Sequence, residues 1–151
     1  MKREKSAGAV IFYREGGENY YLLLNYKASH WDFPKGHIEK GEKVKETILR
    51  EVEEETDLTD INFVQGFEEK IKYFFRKSYG EKKFLRVKPL IFKEVVFLLA
   101  KTKEKKVKIS FEHRGFEWLG YEYALKKLTF KNAKKILERA HQFLLNHDKK
   151  D

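Results

Sequence analysis

The order of strand-like and helical segments is the feature that most constrains the fold of this chain. Apolar runs of strand length occur before, between and after two segments in which apolar residues recur with helical spacing. The strand-like runs are residues 6–13, 20–26, 61–76, 93–101 and 116–119, and the helical segments are residues 43–56 and 133–144. Such a sheet needs a helical layer on each face to bury its apolar side chains. We therefore expect an α/β fold in which a mixed β-sheet lies between helices.

The segments between these runs carry residues typical of turns and loops. Residues 14–19 include two consecutive glycines and predict a hairpin between the first two strands. Residues 30–42 show no sustained periodicity and predict a loop. Gly66 predicts a bend within the 61–76 run, and residues 78–80 predict a further turn.

Composition excludes several kinds of protein and several kinds of site. No apolar run approaches the roughly 18–20 residues of a membrane-spanning helix, and the residues after Met1 do not resemble a signal peptide. The chain has no cysteine, which excludes disulfides, thiolate catalysis and cysteine-ligated zinc. A length of 151 residues is ordinary for one hydrophobic core. We expect a single domain, residues 1–151, in a cytoplasmic setting.

The charges are unevenly distributed along the chain. The 33 Lys and Arg residues and 24 Asp and Glu residues give a formal net charge of +9. By itself this excess favours a nucleic-acid partner, because basic side chains neutralise phosphates. Residues 39–57, however, hold eight acids and four bases, a net charge of −4, which leaves +13 for the rest of the chain. An acidic segment in a basic surround suits a small polyanionic ligand at least as well as a duplex.

Three acidic residues share one stripe of the 43–56 helix. Glu51, Glu54 and Glu55 are spaced i, i+3 and i+4, so their carboxylates are neighbours that repel one another. Hard divalent cations such as Mg²⁺ or Mn²⁺ relieve such repulsion, because they prefer oxygen ligands. Arg50 is well placed to orient one of these carboxylates. The alternative is a solvated helix face laced with salt bridges, as in many Glu- and Lys-rich helices.

The residues around this stripe favour the metal-binding interpretation. Eight residues match a known pattern in type and spacing: Gly36, Glu42, Arg50, Glu51, Val52, Glu54, Glu55 and Leu58. The pattern resembles the signature of the Nudix hydrolases, and the match covers residues 36–58. One position differs, because the family's glycine after the glutamates is Asp57 here. Asp tolerates the left-handed backbone of a helix C-cap better than most residues do, so the difference concerns the cap and not the metal ligands.

The resemblance implies a Nudix-type α/β/α sandwich that hydrolyses nucleoside diphosphates linked to another group. Carried over by position, it implies that Glu51, Glu54 and Glu55 hold Mg²⁺ or Mn²⁺. It also implies that the Gly36 carbonyl is a further ligand and that Arg50 orients Glu51. Glu54 is alternatively the base that activates water. The chemistry agrees, because metal ions must neutralise a pyrophosphate before water can attack phosphorus.

Two flanking stretches are similar to one group within the family. Residues 31–42 and 110–120 resemble the corresponding stretches of the asymmetrical diadenosine tetraphosphate hydrolases of animal and archaeal type, and residues 140–144 resemble their final helix. In those enzymes a glutamate after the signature binds metal or activates water, and Glu112 occupies that position here. The resemblance implies hydrolysis of diadenosine tetraphosphate to ATP and AMP.

Four residues are candidates for contacts with such a substrate. Lys35 is expected to bind phosphate by its charge, and His37 to donate a hydrogen bond to a phosphate oxygen. Tyr73 and Phe97 match in position the aromatic residues that the family places on the strands after the signature, and we expect them to stack on adenine. Core packing is the alternative for both rings, and simple solvent exposure is the alternative for His37.

The sequence leaves three alternatives to this function. They are an RNA 5′-pyrophosphohydrolase, a nucleoside triphosphate pyrophosphatase, and a non-catalytic nucleotide-binding regulator, against which the complete set of glutamates argues. A basic stretch either contacts polyphosphate or RNA or is a solvated hairpin; it comprises Arg76, Lys77, Lys82, Lys83, Arg86 and Lys88. We expect a small nucleotide as the partner, with an RNA 5′ end as the alternative, and no membrane.

Overall fold

One mixed β-sheet organises the part of the chain that the computed structural model describes, namely residues 2–27, 29–76, 88–111 and 113–148. Its strands are β1 (Lys2–Glu15), β2 (Glu18–Tyr26), β3 (Trp31–Asp32), β4 (Lys35–His37), β5 (Asn62–Arg76), β6 (Leu90–Lys101) and β7 (His113–Gly120). The helices in these ranges are α1 (Val44–Thr56), α2 (Tyr121–Lys127) and α3 (Lys131–Asp148). None of them is long and apolar enough to cross a membrane.

β1 lies at the centre of the sheet and sets the order of the strands. It pairs in parallel with β6 and antiparallel with β2. β5 pairs with β6 and β7 pairs with β2, both antiparallel. The pairing of Tyr13 with Tyr20 confirms the predicted hairpin between β1 and β2. Beyond this hairpin the two strands diverge. In the gap, β4 pairs with β1 and β3 pairs with β2, so the signature segment enters the sheet at this divergence.

One prediction about local structure needs correction, and one helix was not predicted. The predicted loop at residues 30–42 contains β3 and β4, which are too short to show an alternating pattern and form only because β1 and β2 offer partners. The sequence also did not predict α2, which buries Ala124 alone and therefore has no apolar periodicity. The predicted bend at Gly66 is confirmed by the register shift between Phe63 and Glu68. The predicted turn at residues 78–80 lies outside the described residues.

Both faces of the sheet are covered by a helix. Successive residues of β1 point to opposite faces, so Phe12 belongs to one apolar cluster and Ile11 to the other. On the Ile11 face, α1 packs through Ile48 and Val52. On the Phe12 face, α3 buries all the residues expected from its helical spacing: Ala133, Ile136, Leu137, Ala140 and Leu144. The expected mixed sheet between helices is therefore confirmed.

Asp57 ends α1 with a left-handed backbone. Its φ is 65° and its ψ is 10°, and its backbone N–H donates to the Glu53 carbonyl at 2.9 Å. This is the C-cap geometry that glycine adopts most easily. The cap therefore forms without the family's glycine, at a backbone cost that a Cβ imposes.

Replacing Asp57 by glycine is expected to raise the free energy of unfolding by about 0.5–1 kcal/mol, because glycine removes that cost. The measurement is thermal denaturation followed by circular dichroism, with a rise in Tm of about 2–4 °C per kcal/mol for a chain of this size. Asp57→Ala should lower Tm, since alanine tolerates positive φ less well than Asp. Equal Tm values for the two variants would contradict the role of the backbone conformation.

Candidate active site

Arg50 on α1 is the centre of a network of acidic side chains. Its Nε donates to Glu42 Oε2 at 2.8 Å, and its Nη1 donates to Glu51 Oε1 at 2.7 Å. Nη1 also lies 3.3 Å from Glu54 Oε2, and Nη2 donates to the His37 carbonyl at 3.0 Å. The structure thus brings Arg50 and Glu51 together, and one guanidinium connects β4 with two carboxylates of the helical stripe.

Glu42 holds the Arg50 guanidinium through both of its carboxylate oxygens. Besides the contact with Nε, Glu42 Oε1 accepts from Arg50 Nη2 at 3.0 Å and from Thr47 Oγ1 at 3.0 Å. The hydrogen bonds from Arg50 lower the pKa of Glu42 to about 2, and the same bonds raise the pKa of Arg50. Sequence reasoning gave Glu42 no role beyond its match to the signature. In the structure Glu42 positions the residue that contacts Glu51 and Glu54.

The three carboxylates of the stripe line one cleft, which we call the carboxylate cleft. It has a volume of about 480 Å³ and is lined by Ser6, Tyr26, Lys35, Gly36, His37, Glu39, Glu51, Glu54, Glu55, Tyr73 and Lys93. Glu55 is buried, whereas the Glu54 side chain is 60% exposed. Residues that share one helical stripe in the sequence therefore lie in two different environments.

Gly36 lies directly against the carboxylate of Glu51. A Cβ at this position would come within 2.0 Å of Glu51 Cδ and 2.3 Å of both carboxylate oxygens, so the carboxylate would have to move. Gly36 is held in β4 by its pairing with Ala7 of β1. The resemblance names the Gly36 carbonyl as a metal ligand. Strand pairing thus fixes this backbone beside Glu51, the first glutamate of the stripe.

The donors of this cleft suit a hard divalent cation in their chemistry. Every candidate ligand is an oxygen, and the close approach of Gly36 puts a carboxylate next to backbone. Among the described residues, which do not include Glu112, no group of three acidic, histidine or cysteine side chains is arranged to hold a metal ion. Glu51 and Glu54 both contact the Arg50 guanidinium instead. The residues fit the cation by type and by their shared cleft.

Lys93 adds a buried positive charge to the cleft, and sequence reasoning missed it. Its side chain is 10% exposed, and its Nζ lies 3.7 Å from Glu4 Oε2 and 3.4 Å from His37 Nδ1. His37 Nδ1 also lies 3.5 Å from Ser6 Oγ. The sequence could have indicated its burial. Alternate side chains of a strand share a face, so Lys93 lies on the same face of β6 as the buried Phe97.

A second, largely apolar cavity adjoins the carboxylate cleft. It has a volume of about 420 Å³ and is lined by Asp32, Lys35, Ile71, Tyr73, Val95, Phe97, Phe130, Asn132 and Ala133. Lys35 and Tyr73 line both spaces, so they mark the boundary. Lys35 is held there by Asp32, whose Oδ2 lies 3.0 Å from Lys35 Nζ.

The three aromatic rings of the apolar cavity differ in exposure. Phe97 is 1% exposed and packs edge-on against Phe33, with ring centroids 5.8 Å apart. Tyr73 is 38% exposed and Phe130 is 46% exposed. Phe130 was not found from the sequence, because it lies between α2 and α3 in a segment without any motif. Phe97 is thus a fixed floor, whereas the other two rings are accessible to a ligand.

The basic stretch is described only at its two ends. Arg76 Nη1 donates to the Lys88 carbonyl at 2.8 Å. Lys77, Lys82, Lys83 and Arg86 lie outside the described residues. Both interpretations of this stretch therefore stay predictions.

Known proteins resemble this chain in sequence and in fold. The family model described as NUDIX domain matches residues 2–140. The asymmetrical bis(5′-nucleosyl)-tetraphosphatase of Mus musculus is 34% identical over 152 residues, covering 93% of this chain and 95% of that protein. An RNA pyrophosphohydrolase of a Nitratiruptor species is 29% identical over 121 residues, covering 80% of this chain and 75% of that protein.

Among solved structures, the binary complex of a C. elegans Ap4A hydrolase matches with a TM-score of 0.79 and 28% identity, covering 95% of this chain and 98% of that one. The family match spans nearly the whole chain, and it agrees with the mixed sheet between helices and with the acidic residues around Arg50. This chain therefore belongs to the Nudix hydrolases.

Proposed function

We propose that this chain hydrolyses diadenosine tetraphosphate asymmetrically to ATP and AMP, with Mg²⁺ or Mn²⁺ bound at the carboxylates of α1. The observation that carries the proposal is the boundary shared by two unlike spaces, the apolar cavity and the carboxylate cleft. The first suits a base, and the second suits a polyphosphate with its cations. The names of the mouse and C. elegans proteins support the same substrate.

The adenine of one nucleotide is proposed to lie between Tyr73 and Phe130. Both rings are partly exposed within one cavity, and stacking on an aromatic ring is worth about 1–3 kcal/mol per base. Phe97 contributes the floor of this space, because its ring is buried and held by Phe33. Tyr73 also lines the carboxylate cleft, so a base beside it is next to the space for its phosphates.

The polyphosphate chain is proposed to pass Lys35, Lys93 and His37. The two ammonium groups reach the cleft from different strands, since Lys35 belongs to β4 and Lys93 to β6. Lys93 is largely removed from water, and a charge in such a setting acts more strongly on a bound phosphate than an exposed one. His37 lies beside Lys93 and is proposed to donate a hydrogen bond to a phosphate oxygen.

The carboxylates are proposed to divide the chemistry between them. Glu51, Glu55 and the Gly36 carbonyl would hold the cations, with Glu112 as a further candidate ligand. Divalent cations, when bound, neutralise phosphate oxygens and acidify water. Glu54, the exposed member of the stripe, is proposed to take a proton from the attacking water. The water oxygen then bonds to phosphorus, the bridging P–O bond breaks, and the electron pair leaves with the departing phosphate.

The test is product analysis on a substrate panel in H₂¹⁸O with Mg²⁺. The panel is diadenosine tetraphosphate, ATP and 5′-triphosphorylated RNA, with EDTA as the control for cation dependence. We expect ATP plus AMP from the dinucleotide, ¹⁸O in one of the two products, and loss of turnover with EDTA.

Each other outcome rejects a stated part of the proposal. Two molecules of ADP would reject asymmetrical cleavage. Faster release of pyrophosphate from RNA than turnover of the dinucleotide would favour the activity named for the Nitratiruptor relative. Full activity in EDTA would reject the cation.

A further inference from the structure

Phe111 is an apolar side chain in an unusual position. It is 85% exposed, more than any other large hydrophobic side chain that the structure describes. Lys27 lies over the ring, with Nζ 5.2 Å from its centroid. A cation over an aromatic face is a favourable pair. The surface here therefore presents a flat ring with a positive charge beside it. Neither the packing of the fold nor the proposed chemistry uses this pair.

The pair is attached to the rim of the carboxylate cleft by both of its chain segments. Lys27 follows Tyr26, which lines the cleft. Phe111 follows Ser110, whose backbone N–H donates to the Glu55 carbonyl at 3.2 Å. The two segments also meet directly, because the rings of Tyr26 and His113 are 4.5 Å apart. Phe111 and Lys27 therefore stand next to the C-terminal end of α1, where Glu55 lies, and next to Tyr26 of the cleft.

This rim lies on the opposite side of the cleft from Tyr73. Tyr73 belongs to β5, and the sheet runs from β5 through β6 and β1 to β2, where Lys27 follows the last residue. Because β1 and β2 diverge before Tyr26, the two sides are separated by more than three strand spacings of about 4.8 Å, that is, by more than roughly 14 Å. A base beside Tyr73 and a base stacked on Phe111 thus cannot belong to one nucleoside. The carboxylate cleft lies between the two positions.

Tyr26 and Ser29, on either side of Lys27, are held by backbone hydrogen bonds. Ser29 N donates to the Tyr26 carbonyl and Tyr26 N donates to the His30 carbonyl, both at 2.8 Å. Ser29 has a φ of 66°, a conformation that non-glycine residues adopt at some cost. Arg114 Nη1 donates to Ser29 Oγ at 3.1 Å and adds a second cation to this rim. Lys27 and Arg114 thus place two positive charges at this rim, which suit a phosphate-linked ligand.

We propose that Phe111 and Lys27 form the subsite for the second nucleoside of a dinucleoside polyphosphate, with its base stacked on Phe111. The inference rests on the proposed function, since a substrate with one base has no use for this rim. A dinucleotide has a base at each end of its phosphate chain, and the cleft has an accessible aromatic ring on each side. Stacking is tolerant of base identity, so this subsite selects for the presence of a second base and not for its type.

The first test compares two substrates that differ only in the second nucleoside. Phe111→Ala should lower kcat/KM for diadenosine tetraphosphate by roughly 5- to 100-fold, as loss of one stacked base predicts. The same variant should leave kcat/KM for adenosine 5′-tetraphosphate unchanged. Tyr123→Ala is the matched control, because Tyr123 is another strongly exposed aromatic residue, 71% exposed, that lines neither the cleft nor the apolar cavity.

The outcomes separate this inference from the proposed function. If the wild-type chain hydrolyses the dinucleotide but Phe111→Ala does so equally well, the second subsite is rejected and the function stands. An equal loss on both substrates also rejects it, since Phe111 would then support the cleft itself. A wild-type chain that does not turn over the dinucleotide rejects the function on which the inference rests.

A binding measurement gives a readout independent of turnover. Phe111→Trp keeps a stacking surface, so it should retain activity on the dinucleotide. In a Glu54→Gln background with Mg²⁺, the fluorescence of Trp at this position should be quenched by diadenosine tetraphosphate and not by adenosine 5′-tetraphosphate, after subtraction of the parent variant. Equal quenching by the two nucleotides would overturn the assignment.

Discussion

Glu54→Gln is expected to lower kcat for diadenosine tetraphosphate by about 10²- to 10⁴-fold, the usual contribution of a positioned acid or base. Glutamine keeps the shape and an oxygen that can accept from Arg50, but it cannot take a proton from water. Because the Glu54 side chain is 60% exposed and its contact with Arg50 is 3.3 Å long, the free energy of unfolding should change by no more than about 0.5 kcal/mol. Steady-state kinetics and thermal denaturation measure the two effects.

Glu53→Gln is the matched control for this prediction. Glu53 is exposed on the same helix, one residue away, and does not line the carboxylate cleft. The same change of charge at this position should leave kcat within a factor of about two, because the Glu53 side chain is exposed to water and salt and does not line the cleft. Equal losses in the two variants would show that the helix needs negative charge in general and no particular glutamate. Near wild-type turnover of Glu54→Gln would reject Glu54 as the base.

Arg50→Lys is expected to lower both activity and stability. Lysine keeps the charge, but it cannot bridge Glu42 and Glu51 and also reach the His37 carbonyl, because it lacks the planar fork of the guanidinium. Loss of orientation at ligands typically costs 10- to 100-fold in activity. Loss of hydrogen bonds between charged groups should lower the free energy of unfolding by about 2 kcal/mol, which corresponds to a fall in Tm of about 4–8 °C.

Arg139→Lys is the matched control, because it shows what an Arg-to-Lys change does where the described residues form no such network. Arg139 makes one ion pair on α3, with Nη1 2.8 Å from Glu69 Oε2, and its side chain is 56% exposed. Exposed ion pairs of this kind contribute roughly 0–1 kcal/mol, so this variant should match the wild-type chain in Tm and in kcat. If Arg50→Lys behaved like Arg139→Lys, the central place of Arg50 in the site would be contradicted.

Local pattern was sufficient for the elements that carry their own periodicity. The five buried positions of α3 and the stripe on α1 follow from helical spacing alone, and the hairpin between β1 and β2 follows from its glycine-rich turn. The contact of Arg50 with Glu51 was expected from the family resemblance, since neighbouring positions on a helix do not face each other by spacing alone. The sequence left open whether Asp57 keeps the left-handed cap, and its φ of 65° shows that it does.

Elements and residues that depend on distant partners were missed. β3 and β4 exist because β1 and β2 diverge, and residues 30–42 carry no periodic signal of that event. Lys93 reaches His37 across 56 positions of sequence, through the pairing of β6 with β1 and of β1 with β4. Phe130 meets Tyr73 in one cavity only because α3 packs on the face to which β5 and β6 contribute.

The sequence by itself determined the family, the layered fold and the acidic stripe of α1, because each of these is encoded in spacings of a few residues along the chain. The tertiary structure decided that Glu55 is buried while Glu54 is exposed, and that Lys35 and Tyr73 join two cavities. It also decided that Phe111 pairs with Lys27, which follows β2, whereas Tyr73 lies on β5 at the other side of the sheet. Burial and convergence depend on which strands pair and where they separate, and no spacing within a single segment records that.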